Sequence, residues 1–108
     1  MNLSDEEMTA DRAATEPHAS RLAEAARAQL DADWGVGETG AAGPTGNRYG
    51  DPPGHTCIGI SGPVSRTTTI ETSSGSRVDN MAAFAAAALA LLQACVREAD
   101  RRRSIGTQ

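Results

Sequence analysis

The sequence predicts an α/β fold: a partial three-layer α/β/α sandwich, ordered helix, strand, Gly-rich loop, two strands, long helix. Three observations predict it. Apolar residues recur at helical spacing around Leu22 and again from Met81 to Val96. Between them lie two β-branched runs, Thr56 to Ser61 and Arg66 to Thr72, separated by the breaker Gly62-Pro63. The third observation is the run WGVGETGAAGPTG from Trp34 to Gly46, in which six of thirteen residues are Gly or Pro. Such density marks backbone that turns tightly or comes very close to something else.

Taken in order, residues 1–14 are acidic, lack large apolar periodicity and are expected to form a disordered leader. The domain is expected over residues 15–103. Glu16 to Leu30 reads as a helix, with Pro17 in its first turn and Leu22, Ala25, Ala26, Gln29 and Leu30 on one face. Ala32 to Val36 reads as a short strand, and Gly37 to Gly54 as a loop too long to be only a connector. Thr56 to Ser61 and Arg66 to Thr72 read as strands forming a hairpin within a small mixed sheet. Ser73 to Ser76 is a turn, with Ser74 or Ser76 as the N-cap of a helix running to about Arg102. Met81, Phe84, Ala85, Ala88, Leu91, Leu92, Cys95 and Val96 form its core stripe. Residues 104–108 read as a polar tail.

The chain has 108 residues, enough for one small domain, and its apolar content is mostly Ala. A core of this kind is thin, and three strands leave an open sheet edge. A homo-oligomer, or pairing with a missing N-terminal half, is therefore expected. The net charge of −4 argues against nucleic acid as a partner. Arg101, Arg102 and Arg103 follow acidic residues in a last helical turn, where cations suit the helix dipole. Met81 to Leu92 is too short and Ala-rich to predict a membrane span, and Met1 to Ala10 has no signal-peptide pattern. A cytoplasmic protein without membrane contact is expected. Cys57 and Cys95 lie in apolar stretches and read as buried free thiols. No metal-ligand spacing and no cofactor motif is evident.

Several motifs fall short of known chemistry. Gly35 to Gly40 matches G-x-G-x-x-G, but the following Ala-Ala-Gly-Pro-Thr-Gly cannot open a helix, and Glu38 would sit in the phosphate cradle. All ten basic residues are Arg and none is Lys, which excludes a Walker-type loop. Ser61 lies in GISGP, where Pro63 takes the last position of a nucleophile elbow. His18 and His55 show no acidic partner in register. Two residues stand out. Thr39 is a hydroxyl at a strand end, where open α/β sheets bind ligands, or else it satisfies the turn's backbone. Arg77 opens the long helix beside free backbone donors and could serve an anionic ligand such as a phosphate.

Ala23 to Pro44, reading AEAARAQLDADWGVGETGAAGP, resembles the C-terminal domain of the CinA family. That domain is associated with nicotinamide-mononucleotide deamidase activity. The hallmark is a helix, then a strand entering a Gly-x-Thr-Gly-x-Ala-Gly-Pro loop, matched by Gly37 to Pro44. A Pro-x-Gly element (Pro52 to Gly54), a strand (Thr56 to Ile60) and a Gly-x-Arg turn (Gly75 to Arg77) follow in order, so the resemblance runs from about Ala14 to Val96. It implies an amidohydrolase that converts nicotinamide mononucleotide to nicotinate mononucleotide and ammonia. Thr39 would line the reacting end of the pocket as the catalytic residue. Gly37, Gly40, Ala42, Gly43 and Pro44 would form its wall, and Arg77 would contact the substrate. The family's nucleophilic Ser stands in Glu-Ser-x-Thr-Gly-Gly, followed by a Lys. Neither is found in this sequence, and Asp51 stands where the family often has Lys. The chain is accordingly expected to hold the back half of the domain, without nucleophile or base.

Overall fold

The computed structural model describes residues 13–106, so most of the expected leader lies outside the described residues. Five elements follow: α1 (Glu16–Gln29), β1 (Gly35–Ala41), β2 (His55–Ser61), β3 (Arg66–Glu71) and α2 (Arg77–Gly106). The strands form one sheet of order β1-β2-β3. Both pairings are antiparallel, so the sheet is not mixed as the sequence suggested. The reason lies in the connections, residues 42–54 and 62–65: neither contains a helix to carry the chain back for a parallel strand.

Thr15 caps α1, accepting from the His18 N–H at 3.4 Å, and Pro17 sits in the first turn, where no N–H is needed. The side of α1 that meets the sheet differs from the expected one. His18, Ala19 and Ala23 are buried, whereas Leu30 is 77% exposed. The sheet explains the choice. Gly37 and Gly59 are register partners on adjacent strands, directly beneath α1. A Cβ on Gly37 would come within 2.6 Å of the Ala23 nitrogen, and one on Gly59 within 2.7 Å of the Ala19 carbonyl carbon. Helix and sheet therefore meet backbone to backbone, which only Ala on one side and Gly on the other allow. From Gly35 to Ala41 the glycine-rich run is strand rather than loop, because Gly35, Gly37 and Gly40 serve close approach, whereas Gly43, at a φ of 104°, turns the chain beyond it.

Glu16 ties the start of α1 to the far edge of the sheet. Its carboxylate accepts from the Thr67 and Thr69 hydroxyls of β3 at 2.8 and 2.6 Å. The hydroxyls of Thr69 and then Thr67 hold that carboxyl below its ordinary pKa.

On the opposite face lies α2. Ile58, Ile60, Val64 and Cys95 form the core there, with Trp34, Ile70, Leu91 and Leu92 packed around them. Covered on both sides, β2 is buried along its whole length. Ser76 is the N-cap of α2, its hydroxyl accepting from the Asp79 N–H at 3.3 Å. The helix continues through Gly106, past the point where a tail was expected to begin. Its length, with a mean hydropathy of 1.5 over its most apolar 18 residues, would allow a membrane crossing, although the run Met81 to Leu92 alone predicted none. Asn80, Phe84 and Cys95 seat one side of it on the protein.

Gly37→Ala is expected to destabilise the chain by about 1–3 kcal/mol through overpacking at α1. Gly75→Ala, with open space around the new methyl, should change stability far less. Urea unfolding midpoints of the two variants test this.

Candidate functional site

The C-terminal end of β1, the segment after it and the first turns of α2 enclose a cleft of about 350 Å³, near the lower end of small-molecule sites. Glu38, Gly40 and Ala42 form one side. Met81, Phe84, Ala85 and Ala88 form an apolar wall on α2, with Arg77 beside them. The sequence dictates this division. Successive β1 residues point to alternate faces, so Glu38 and Gly40 turn toward α2 while Gly37 and Thr39 turn toward α1.

Asn80 holds the cleft's framework. It is fully buried, and its side-chain amide donates to the Ala42 carbonyl at 2.7 Å and the Ser74 carbonyl at 2.8 Å. Its carbonyl oxygen accepts from the Thr72 hydroxyl, which also accepts from the Ser74 N–H at 3.1 Å. One side chain thus fastens the end of β1, the end of β3 and the start of α2. Arg77 adds a further tie, donating from Nη1 to the Gly43 carbonyl at 3.1 Å. Its other guanidinium N–H groups have no partner among the described residues and border the cleft. Glu38 is fixed as well, accepting from the Thr56 hydroxyl at 2.6 Å.

The sequence-predicted site residues divide between two places. Gly40, Ala42, Gly43 and Arg77 come together at the cleft. Pro44 is exposed on the adjoining segment, and Gly37 is buried under α1. Thr39 lies on the α1 face, where its hydroxyl accepts from the Ala14 N–H at 3.0 Å. The structure does not bring Thr39 and Arg77 to one pocket. Asn80 was missed by sequence reading, since an Asn in the first turns of a helix reads as a capping or surface residue.

Around Ala14 a second polar cluster forms. Nδ1 of His55 lies 3.0 Å from Glu71, and its Nε2 lies 2.9 Å from the Ala14 carbonyl. Asp51 stands 3.9 Å from Nε2. The antiparallel register that sets His55 opposite Glu71 supplies the acidic partner that spacing alone did not reveal. The Cys57 thiol donates to the same carbonyl at 3.4 Å. Both ring nitrogens of His55 face acceptors, an arrangement satisfied only by the doubly protonated ring. Burial opposes that charge, but the Ala14 carbonyl, the Glu71 hydrogen bond and the charges of Asp51 and Glu71 outweigh it, and the pKa rises. Ser61 lies at the other end of β2 from His55, so these two do not pair. Cys57 and Cys95 are both buried free thiols, and burial pushes the Cys95 thiol up.

Together the fold and cleft define a small α/β domain with an amphipathic pocket at a strand end. The family profile described as CinA C-terminal domain matches residues 1–96. The chain belongs to the CinA C-terminal domain family. It is 37% identical over 71 residues to a CinA-like protein of Prochlorococcus marinus, covering 66% of this chain and 17% of that protein. A CinA-like protein of Anaeromyxobacter dehalogenans is 40% identical over 70 residues, covering 65% and 17%. Among solved structures, a competence-damaged protein (CinA) superfamily protein of Escherichia coli aligns with a TM-score of 0.74 at 25% identity, covering 83% of this chain and 52% of that one. One from Enterobacter cloacae gives 0.73 at 26%, covering 82% and 53%. The competence damage-inducible protein A of Klebsiella pneumoniae shares the fold, at 0.77 and 21% identity, covering 87% and 58%. The chain spans about half of these solved structures and about one sixth of these two curated relatives.

Asn80→Ala strands two carbonyls and a hydroxyl, and is expected to lower stability by about 2–3 kcal/mol, read by chemical unfolding. The His55 cluster predicts a pH effect of definite sign. Its folded pKa lies above the unfolded value of about 6.5, so its stabilisation is complete below that pH and fades as pH rises through the folded pKa. Urea midpoints should therefore fall from about pH 6 to about pH 8, and by less in Glu71→Gln.

Proposed function

We propose that this chain forms the nucleotide-binding wall of a CinA-family amidohydrolase that converts nicotinamide mononucleotide to nicotinate mononucleotide and ammonia. The observation that carries the reading is the cleft beside Arg77, with the guanidinium tethered to Gly43 and its remaining donors unpaired among the described residues. Such a fork suits a phosphate, and the Met81, Phe84, Ala85 and Ala88 wall suits a flat pyridine ring. The resemblance to the CinA C-terminal domain family supports the reaction class.

Hydrolysis of a carboxamide needs an activated hydroxyl and a base to take its proton. The chain has no Lys, and the Thr39 hydroxyl is committed to Ala14 on the face away from the cleft. The reading therefore assigns binding to this chain and leaves the nucleophile and base to residues outside this sequence. A purely non-catalytic role in nucleotide binding is the second reading, favoured by that same commitment of Thr39.

Calorimetric titration of the chain with nicotinamide mononucleotide should show uptake, weakened about tenfold or more in Arg77→Ala, as expected for losing hydrogen bonds to a charged group. Ammonia release by the chain alone should be absent. No uptake by folded protein would overturn the proposal. Steady release of ammonia would place the nucleophile within these 108 residues and overturn the division of roles.

A further inference from the structure

The outer side of α2 poses a separate question from the cleft. No charged residue lies between Asp79 and Arg97. Asn80, Phe84 and Cys95 take up the side toward the sheet, yet the opposite side is apolar too, Gln93 apart. Val78 is 78% exposed and Leu89 is 67% exposed, and Ala82 and Ala86 lie exposed between them. A helix apolar all round belongs in an interior. Here 17% of the most apolar stretch is buried.

The charges bounding this face indicate what covers it. Asp79 and Arg97 are 18 positions apart, which is five helical turns, so they share one flank of the outer face. Neither has an ion-pair partner among the described residues. The midpoint between them falls at Ala88, beside Leu89. A two-fold axis at that point, perpendicular to the helix, sets a second α2 antiparallel to the first. Each Asp79 then stands opposite the partner's Arg97, twice over, on the same side of the seam. Leu89 meets its counterpart near the axis. Ala82 and Ala86 are small enough for the helix axes to approach to about 8 Å. The two helix dipoles also run in opposite directions, the favourable arrangement.

We propose that the outer face of α2 joins two copies of this chain in an antiparallel, two-fold symmetric dimer, with Leu89 at its centre and Asp79–Arg97 pairs at its ends. The interface is self-complementary, as two-fold symmetry requires. The inference does not depend on the substrate assigned to the cleft.

Sedimentation of the full chain tests it. At about 100 µM, well above a micromolar dissociation constant, the chain of 11.2 kDa should sediment at twice its mass. Leu89→Glu should be monomeric with an unchanged far-UV circular dichroism spectrum. Asp79→Arg should weaken the dimer about tenfold, and Asp79→Arg combined with Arg97→Asp should restore it. A wild-type monomer at that concentration, or a dimer that survives Leu89→Glu, would overturn the proposal. So would a double variant no tighter than the single one. Co-flotation of the wild type with phosphatidylcholine vesicles, lost in Leu89→Glu, would assign the face to lipid and overturn it as well.

Discussion

The rest of the structure depends on how closely α1 lies against β1 and β2. Ala19 and Ala23 rest on the backbone of Gly37 and Gly59, with no side chain between. Contact this close excludes water and gathers many dispersion contacts, each small and large only in sum. It offsets the shortage of large apolar residues on that face. Because α1 cannot move away, the segment before it is carried onto the same face of the sheet. There Ala14 is bound by Thr39, His55 and Cys57 together.

The opposite face is held by polar groups instead. Asn80 replaces three loose chain ends with one buried hydrogen-bonded node. A half-satisfied node would cost more than an apolar one, so its completeness gives it value. It brings Ala42 and Ser74 to the same side chain, and Arg77, three residues earlier, reaches Gly43 in consequence. The cleft beside them is thus a product of the first turn of α2. It is not formed by the glycine-rich run alone.

Much of this was legible in the sequence. Pro17 announces α1, Gly62-Pro63 announces the β2–β3 turn, and the turn with Ser74 or Ser76 announces α2, because each acts through local backbone geometry. Pairings over long separations were not legible. Gly37 and Gly40 were read as loop, since composition alone cannot distinguish turning from close approach. His55 lacked its acidic partner until the register set it against Glu71. Asn80 was not singled out, because its three partners come from parts of the chain 6 to 38 residues away. For α1, the larger Leu22 and Leu30 drew the predicted face away from the Ala side, which the glycines of the sheet make the better fit.

The run that carries the family resemblance therefore does two jobs, divided by the alternation of a strand. Gly37 and Thr39 face α1, where a side chain at the first would part helix from sheet and the hydroxyl of the second secures Ala14. Gly40 faces the cleft, and Ala42 and Gly43 follow it around the strand end. A pattern shared along a family need not act at one site, because adjacent strand residues are sent to opposite faces. For this chain the physical consequence is plain. Thr39 can reach the cleft only if β1 shifts by one residue, which would also drive every inward glycine out from under α1. The close contact that builds the domain is thus what keeps the Thr39 hydroxyl on the structural side of the sheet.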